Sequence, residues 1–215
     1  MNVERVQASD GAFVAIRSGG SVVSWGSPHY GGDCTGVEEQ LRDVRHIQAT
    51  YCAFAGILGD GSVVAWGHPV GGGDSSEVQG QLKDVSQIQA SDGAFAAILA
   101  DGSVVTWGNP FSGGDSSMVR DQLRGVACLQ ATKGAFAALL GDGSVVTWGS
   151  PHYGGDSSGV QPQLREVQQI QASKVAFAAV LADGSVVPWG NPLEQVDEIS
   201  WSEWVSLTQR VGGGN

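Results

Sequence analysis

Apolar and polar positions along this chain fall into short extended runs separated by turn residues. In residues 94–99, Ala-Phe-Ala-Ala-Ile-Leu, an extended backbone points Phe95, Ala97 and Leu99 to one side and Ala94, Ala96 and Ile98 to the other. Both sides are apolar, so a strand here must be covered on both faces. The Ala-rich side permits a neighbouring sheet to come close, while Phe95 and Trp107 supply bulk to fill the gap. A second run, Val104-Val105-Thr106-Trp107-Gly108, follows Asp101-Gly102. Asp-Gly between two apolar runs is a strong hairpin signal, because both residues tolerate positive φ. A third run, of the form Val-x-x-Ile-Gln-Ala-Ser, precedes the hairpin and predicts three strands.

This pattern recurs. Trp25, Trp66, Trp107, Trp148 and Trp189 are 41 residues apart, and the sequence around them keeps that period without insertion or deletion. Residues 1–191 therefore divide into five repeats, with units starting at 3, 44, 85, 126 and 167. The third and fourth units match at 27 of 41 positions, which points to duplication. The Asp-Gly turn recurs at 60–61, 142–143 and 183–184, and the first unit has Gly19-Gly20 in its place. Phe54, Phe95, Phe136 and Phe177, with the tryptophans, are the large side chains fixed across the complete units and form the predicted core.

Each unit ends in a linker that begins Gly-Gly-Asp-Ser-Ser or a variant of it. After Asp115, the residues Val119, Leu123 and Val126 fall at i, i+4 and i+7, which fits a short helix capped by the Asp. A fourth, outer strand uses the same residues equally well, so either element is expected, with its apolar side packed inward. The chain departs from the repeat after Pro192. Trp201, Trp204 and Leu207 are spaced as on an amphipathic helix, so residues 192–215 are expected to form a divergent C-terminal cap followed by a flexible Gly-rich tail.

The stretch Ala94 to Gly108 resembles the core signature of the regulator-of-chromosome-condensation repeat, in which a hydrophobic strand, an Asp-Gly turn and a Val-x-x-Trp-Gly strand recur once per propeller blade. The resemblance extends over residues 3–191. It implies a mainly β fold, a five-repeat β-propeller-like array with three strands plus a short helix or fourth strand per unit. Family blades run longer and number seven, they carry Gly-Gln-Leu-Gly where this chain has Gly-Gly-Asp-Ser-Ser, and they have His-Thr where it has, for example, Asp92-Gly93. Five short units give a closed ring or an open arc, closure or near closure being the expectation.

The composition narrows the function. There are 11 Lys plus Arg against 22 Asp plus Glu, a net charge of −11, and the basic residues are scattered singly. Nucleic acids and anionic membranes are bound through clustered Lys and Arg, so neither is an expected partner. The longest apolar run, Val175 to Ala182, is far shorter than a bilayer span. Cys34, Cys52 and Cys128 are unclustered and odd in number, and Glu4 and Arg5 stand where a secretory signal would be apolar. A reducing compartment, cytoplasmic or nuclear, is expected.

Candidate chemistry is sparse. His29, His46, His68 and His152 occupy three different positions of the unit and lack a nucleophile motif, so they read as surface loop residues. Asp33, Asp74, Asp115 and Asp156 recur, but each loop supplies one carboxylate where a calcium loop converges several, which predicts capping. The Gly-Gly pairs lack the Lys-Ser/Thr of a phosphate loop. No catalytic, cofactor or metal site is assigned, and no small-molecule substrate is evident. Positions that vary within a fixed frame are the informative ones. They lie in the loop after Trp-Gly, and make His29, Tyr30, Phe111, His152 and Tyr153 the candidate rim for an unidentified protein partner. The expected function is a non-catalytic interaction scaffold. Two alternatives come from the resemblance: the repeat portion of a HECT-type ubiquitin ligase, whose transfer chemistry would lie elsewhere, and a guanine-nucleotide exchange regulator of a small GTPase. For the latter, an indel-free repeat leaves no room for a wedge-like insertion.

Overall fold

The computed structural model describes residues 2–191. Five antiparallel three-stranded sheets follow one another along the chain. Unit 1 holds β1 (Val3–Ala8), β2 (Ala12–Arg17) and β3 (Val22–Gly26), and unit 2 holds β4 (Val44–Ala49), β5 (Ala53–Leu58) and β6 (Val63–Gly67). Unit 3 holds β7 (Val85–Ala90), β8 (Ala94–Leu99) and β9 (Val104–Gly108), and unit 4 holds β10 (Val126–Ala131), β11 (Ala135–Leu140) and β12 (Val145–Gly149). Unit 5 holds β13 (Val167–Ala172), β14 (Ala176–Leu181) and β15 (Val186–Gly190). The register repeats as well: Phe95 faces Trp107 across β8 and β9 just as Phe136 faces Trp148 across β11 and β12.

In units 2 to 4 both faces of the middle strand are buried between successive units, as its two apolar sides require. Ala94, Ala96, Ile98 and Val104 from the back of unit 3 meet Val126, Leu129, Phe136, Val146 and Trp148 from the front of unit 4, with Leu123 of the intervening linker sealing the joint. The three other joints use the equivalent residues. Phe54, Phe95, Phe136 and Phe177 are all fully buried, each stacked on the tryptophan of its own sheet at 5.1 to 5.5 Å between ring centroids. The predicted core is the observed one in units 2 to 5, whereas Trp25 of unit 1 stays outside it. Backbone bonds lock the units further: Val85, Val126 and Val167 each donate to the carbonyl of the preceding unit's hairpin glycine, Gly61, Gly102 and Gly143, at 2.9 to 3.0 Å.

The hairpin turns differ in detail from expectation. Gly102 takes φ +78°, but Asp101 does not enter the left-handed region. The turn is a three-residue loop closed by Leu99 and Ser103, in which the Asp101 carboxylate accepts from the backbone N–H and the hydroxyl of Ser103 at 2.9 and 2.6 Å. One left-handed glycine suffices for this bulged loop, and the Asp serves as a local acceptor.

The linkers form neither α-helix nor fourth strand among the described residues. They are 3-10 turns, over Ser117–Gln122 and Gln161–Gln163, or isolated turns. Gly36, Gly80, Gly159 and Pro162 interrupt three of these segments, and in all four a buried leucine (Leu41, Leu82, Leu123, Leu164) ties the chain back to the core.

The array is an open arc, which decides against closure. Trp25 and Phe13, on the front of unit 1, are 45% and 46% exposed where their equivalents in the later units are buried. Five units do not bring the back of unit 5 round to cover them. The cap and tail predicted over 192–215 lie outside the described residues.

Candidate functional site

One end of the array gathers the turns between the first and second strand of every unit. A cavity of about 640 Å³ is lined there by Ala8–Asp10, Ala49–Tyr51, Ala90–Asp92, Ala131–Lys133 and Ala172–Lys174, three residues from each of the five units. The turns are chained by backbone hydrogen bonds. Asp10 N–H donates to the carbonyl of Tyr51, Tyr51 to Asp92, Asp92 to Lys133 and Lys133 to Lys174, at 2.8 to 3.1 Å. This file of peptide groups runs from unit 1 to unit 5 and fixes five side chains around one opening: Asp10, Tyr51, Asp92, Lys133 and Lys174. All five are exposed.

The loops after Trp-Gly stand on the same end. Each begins with a 3-10 turn, Pro28–Tyr30, Pro69–Gly71, Pro110–Ser112 or Pro151–Tyr153, with Pro at the first helical positions and a following glycine in the left-handed region. A hydroxyl 21 residues earlier clamps each loop to the neighbouring turn. Ser9, Thr50, Ser91 and Thr132 donate to the carbonyls of Tyr30, Gly71, Ser112 and Tyr153 at 2.8 to 2.9 Å. The same hydroxyls accept from the backbone N–H of Ala12, Ala53, Ala94 and Ala135, so one Ser/Thr per unit joins strand, turn and rim loop.

The structure separates the rim residues predicted from sequence into two kinds. His29 and His152 are exposed, and Phe111 is 86% exposed. Tyr30 and Tyr153 are half-buried, each ring lying over a turn glycine, Gly11 or Gly134, and packing against the joint between units. His68 holds its own loop, its Nδ1 accepting from the N–H of Val70 at 3.2 Å, and His46 Nδ1 accepts from Arg5 Nη1 at 2.8 Å between β1 and β4. The five turn residues Asp10, Tyr51, Asp92, Lys133 and Lys174 were missed by sequence reasoning. Their signal was in the register: positions 10, 51, 92, 133 and 174 read Asp, Tyr, Asp, Lys and Lys behind an unvarying Ser or Thr.

The electrostatics of this end are mixed. Burial by surrounding protein raises the Asp92 carboxyl above its ordinary value, opposed by the nearby Lys133 ammonium. The hydrogen bond that the Tyr51 hydroxyl donates to the sulfur of neighbouring Cys52 raises the phenol, and burial raises the Cys52 thiol, keeping it protonated and a weak nucleophile. The linker carboxylates Asp33, Asp74, Asp115 and Asp156 each accept from the N–H two residues on, at 2.8 to 2.9 Å, in the capping role read from the sequence. Among the described residues no three His, Cys, Asp or Glu side chains converge as a metal site, and no helix is long and apolar enough to cross a membrane.

No protein-family model matches this chain, and no curated protein matches it by sequence. Solved structures do share its fold. Yeast Prp20p from Saccharomyces cerevisiae, studied for its binding to Gsp1p and histones, superposes with a TM-score of 0.58 at 18% identity, covering 87% of this chain and 57% of that one. The same yeast protein, RCC1 (Prp20) bound to Kap60, gives 0.56 at 16% identity, over 86% and 55%. Human WBSCR16 gives 0.55 at 19% identity, over 87% and 61%. The chain thus spans about 55 to 61% of the length of these structures. The likeness is one of fold, that of an RCC1-type β-propeller.

Proposed function

We propose that this chain is a non-catalytic protein-interaction module whose binding surface is the end of the array that carries the turns and rim loops. One observation carries the reading. At a single structural position, held by the same backbone bonds in successive units, five side chains of three kinds, acidic, aromatic and basic, are displayed around one opening: Asp10, Tyr51, Asp92, Lys133 and Lys174. Packing does not dictate these side chains, and a constant frame with variable tips is how a rigid scaffold acquires a specific surface. The exposed His29, Phe111 and His152 extend the same surface outward, and an aromatic with mixed charges suits a protein partner. The fold neighbour Prp20p binds proteins, namely Gsp1p, histones and Kap60, which supports the class of function.

Exchange on a small GTPase is the second reading, favoured by the likeness to Prp20p. It would use this same end, without a wedge-like insertion. A place beside a HECT-type ligase domain would leave the interaction role of this array unchanged and put ubiquitin transfer in another domain.

The test is affinity capture with the wild type and a Tyr51→Ala, Phe111→Ser, Lys133→Glu triple variant, with captured proteins identified and then rebound in purified form. These side chains are exposed, so the variant should melt with the wild type. Loss of a purified partner's binding at unchanged melting temperature is the expected result. Equal binding by both proteins would place the interface elsewhere, and stimulated nucleotide release from a captured GTPase would favour the exchange reading.

A further inference from the structure

Every joint inside the array pairs unlike surfaces, the back of one unit with the front of the next, and this pairing is built four times. The chain therefore ends its described array with two unmatched halves of one and the same joint. At the front of unit 1, Val3, Val6, Phe13 and Trp25 are between 45% and 55% exposed, whereas their equivalents in unit 4, Val126, Leu129, Phe136 and Trp148, are no more than 6% exposed. At the back of unit 5, Ala176, Ala178, Val180 and Val186 are partly exposed where Ala135, Ala137, Leu139 and Val145 are buried. Trp66, Trp107, Trp148 and Trp189 each donate their indole N–H to a loop carbonyl of the preceding unit, while no unit precedes Trp25 among the described residues.

We propose that the back of unit 5 in one copy docks on the front of unit 1 in a second copy, reproducing the interior joint. The occupant follows from continuity: the chain itself carries both complementary faces, in residue types already shown to pack together. Such a contact is heterologous, so it propagates head to tail and ends in a ring where the rotation closes. The net charge of −11 opposes association, so the contact strengthens with salt. This inference is independent of the rim reading, since the two open faces are separate from the cavity end.

Sedimentation velocity on the full chain at physiological and raised salt tests it, over roughly 1 to 200 µM, the range in which a contact of about −5 to −8 kcal/mol shows. The expected result is a mass that rises with concentration above the 22.2 kDa of one chain. Trp25→Asp blocks the front face and Ala178→Asp the back face, so each variant alone stays monomeric, with its fold checked by circular dichroism. Mixed together they form a dimer and nothing larger, because one intact back meets one intact front and both outer faces are blocked. A wild type that remains monomeric throughout overturns the proposal, as it would if residues 192–215 covered either face of their own chain. So does a mixture that stays monomeric while the wild type associates.

Discussion

The indole N–H of Trp107 donates to the carbonyl of Gly72 in the preceding unit at 2.9 Å. Gly72 accepts there because it ends the 3-10 turn in the left-handed region at φ +89°, and a Cβ on it would stand 2.7 Å from the ring of Phe95. The repeated tryptophan is thus a packing residue and a latch between units. Trp107→Phe strands a buried carbonyl and opens space, for a loss of about 1 to 3 kcal/mol. Trp25→Phe, with no latch to lose, should shift stability by less than about 0.5 kcal/mol in dilute solution. Urea unfolding of the two variants compares them directly; equal losses would mean the latch contributes nothing.

Much of this was legible in the sequence because repetition multiplies weak signals. Ala94 and Phe95 sit on opposite sides of one strand, and with both sides apolar only stacked sheets can satisfy them. The linker was not legible: Val119 and Leu123 fit a helical or an extended period, and the choice fell to the tie that Leu123 makes with the core. Tyr51 and Lys133 were hidden because a residue between a hydroxyl clamp and the next strand reads as ordinary turn chemistry. Only the three-dimensional convergence of five such turns makes them a surface. Closure was not legible either, since each unit presents the same two faces whether or not a ring is completed.

The residue before the first strand of units 2 to 5 offers a test of backbone strain. Asp43, Asp84 and Glu166 all adopt φ +53°, and Gly125 holds the same position at φ +62°. A Cβ on Gly125 would meet no atom within 4 Å, so the effect of substitution there is one of backbone conformation alone. A left-handed conformation costs a residue with a Cβ about 1 to 2 kcal/mol, and glycine's extra freedom in the unfolded chain returns about half of that. Glu166→Gly is expected to gain about 0.5 kcal/mol and Gly125→Ala to lose about as much, measured by thermal or urea unfolding. A stabilising Gly125→Ala would show that strain at this position is negligible.

Acid should loosen the array through its turns. The carboxyls of Asp60, Asp101, Asp142 and Asp183 are held below the usual carboxylate value, first by the hydroxyls and then by the N–H groups of Ser62, Ser103, Ser144 and Ser185. The linker aspartates Asp33, Asp74, Asp115 and Asp156 are lowered too, first by backbone N–H groups. A lowered carboxyl binds its proton less readily when folded than when unfolded. Its contribution is therefore fully present above the ordinary value of 3.8 and fades as pH falls through the lower, folded value. Asp92, raised by burial, works in the opposite sense and gains as the solution is acidified through its raised value. Eight lowered groups outweigh one raised group, so the melting temperature should hold steady near neutrality and fall below about pH 4. Replacing the four hairpin aspartates by asparagine keeps an acceptor oxygen in each turn but removes its titration. That variant should melt near the wild type at pH 7 and show a shallower decline in acid; an unchanged acid limb would move the pH sensitivity away from the hairpin turns.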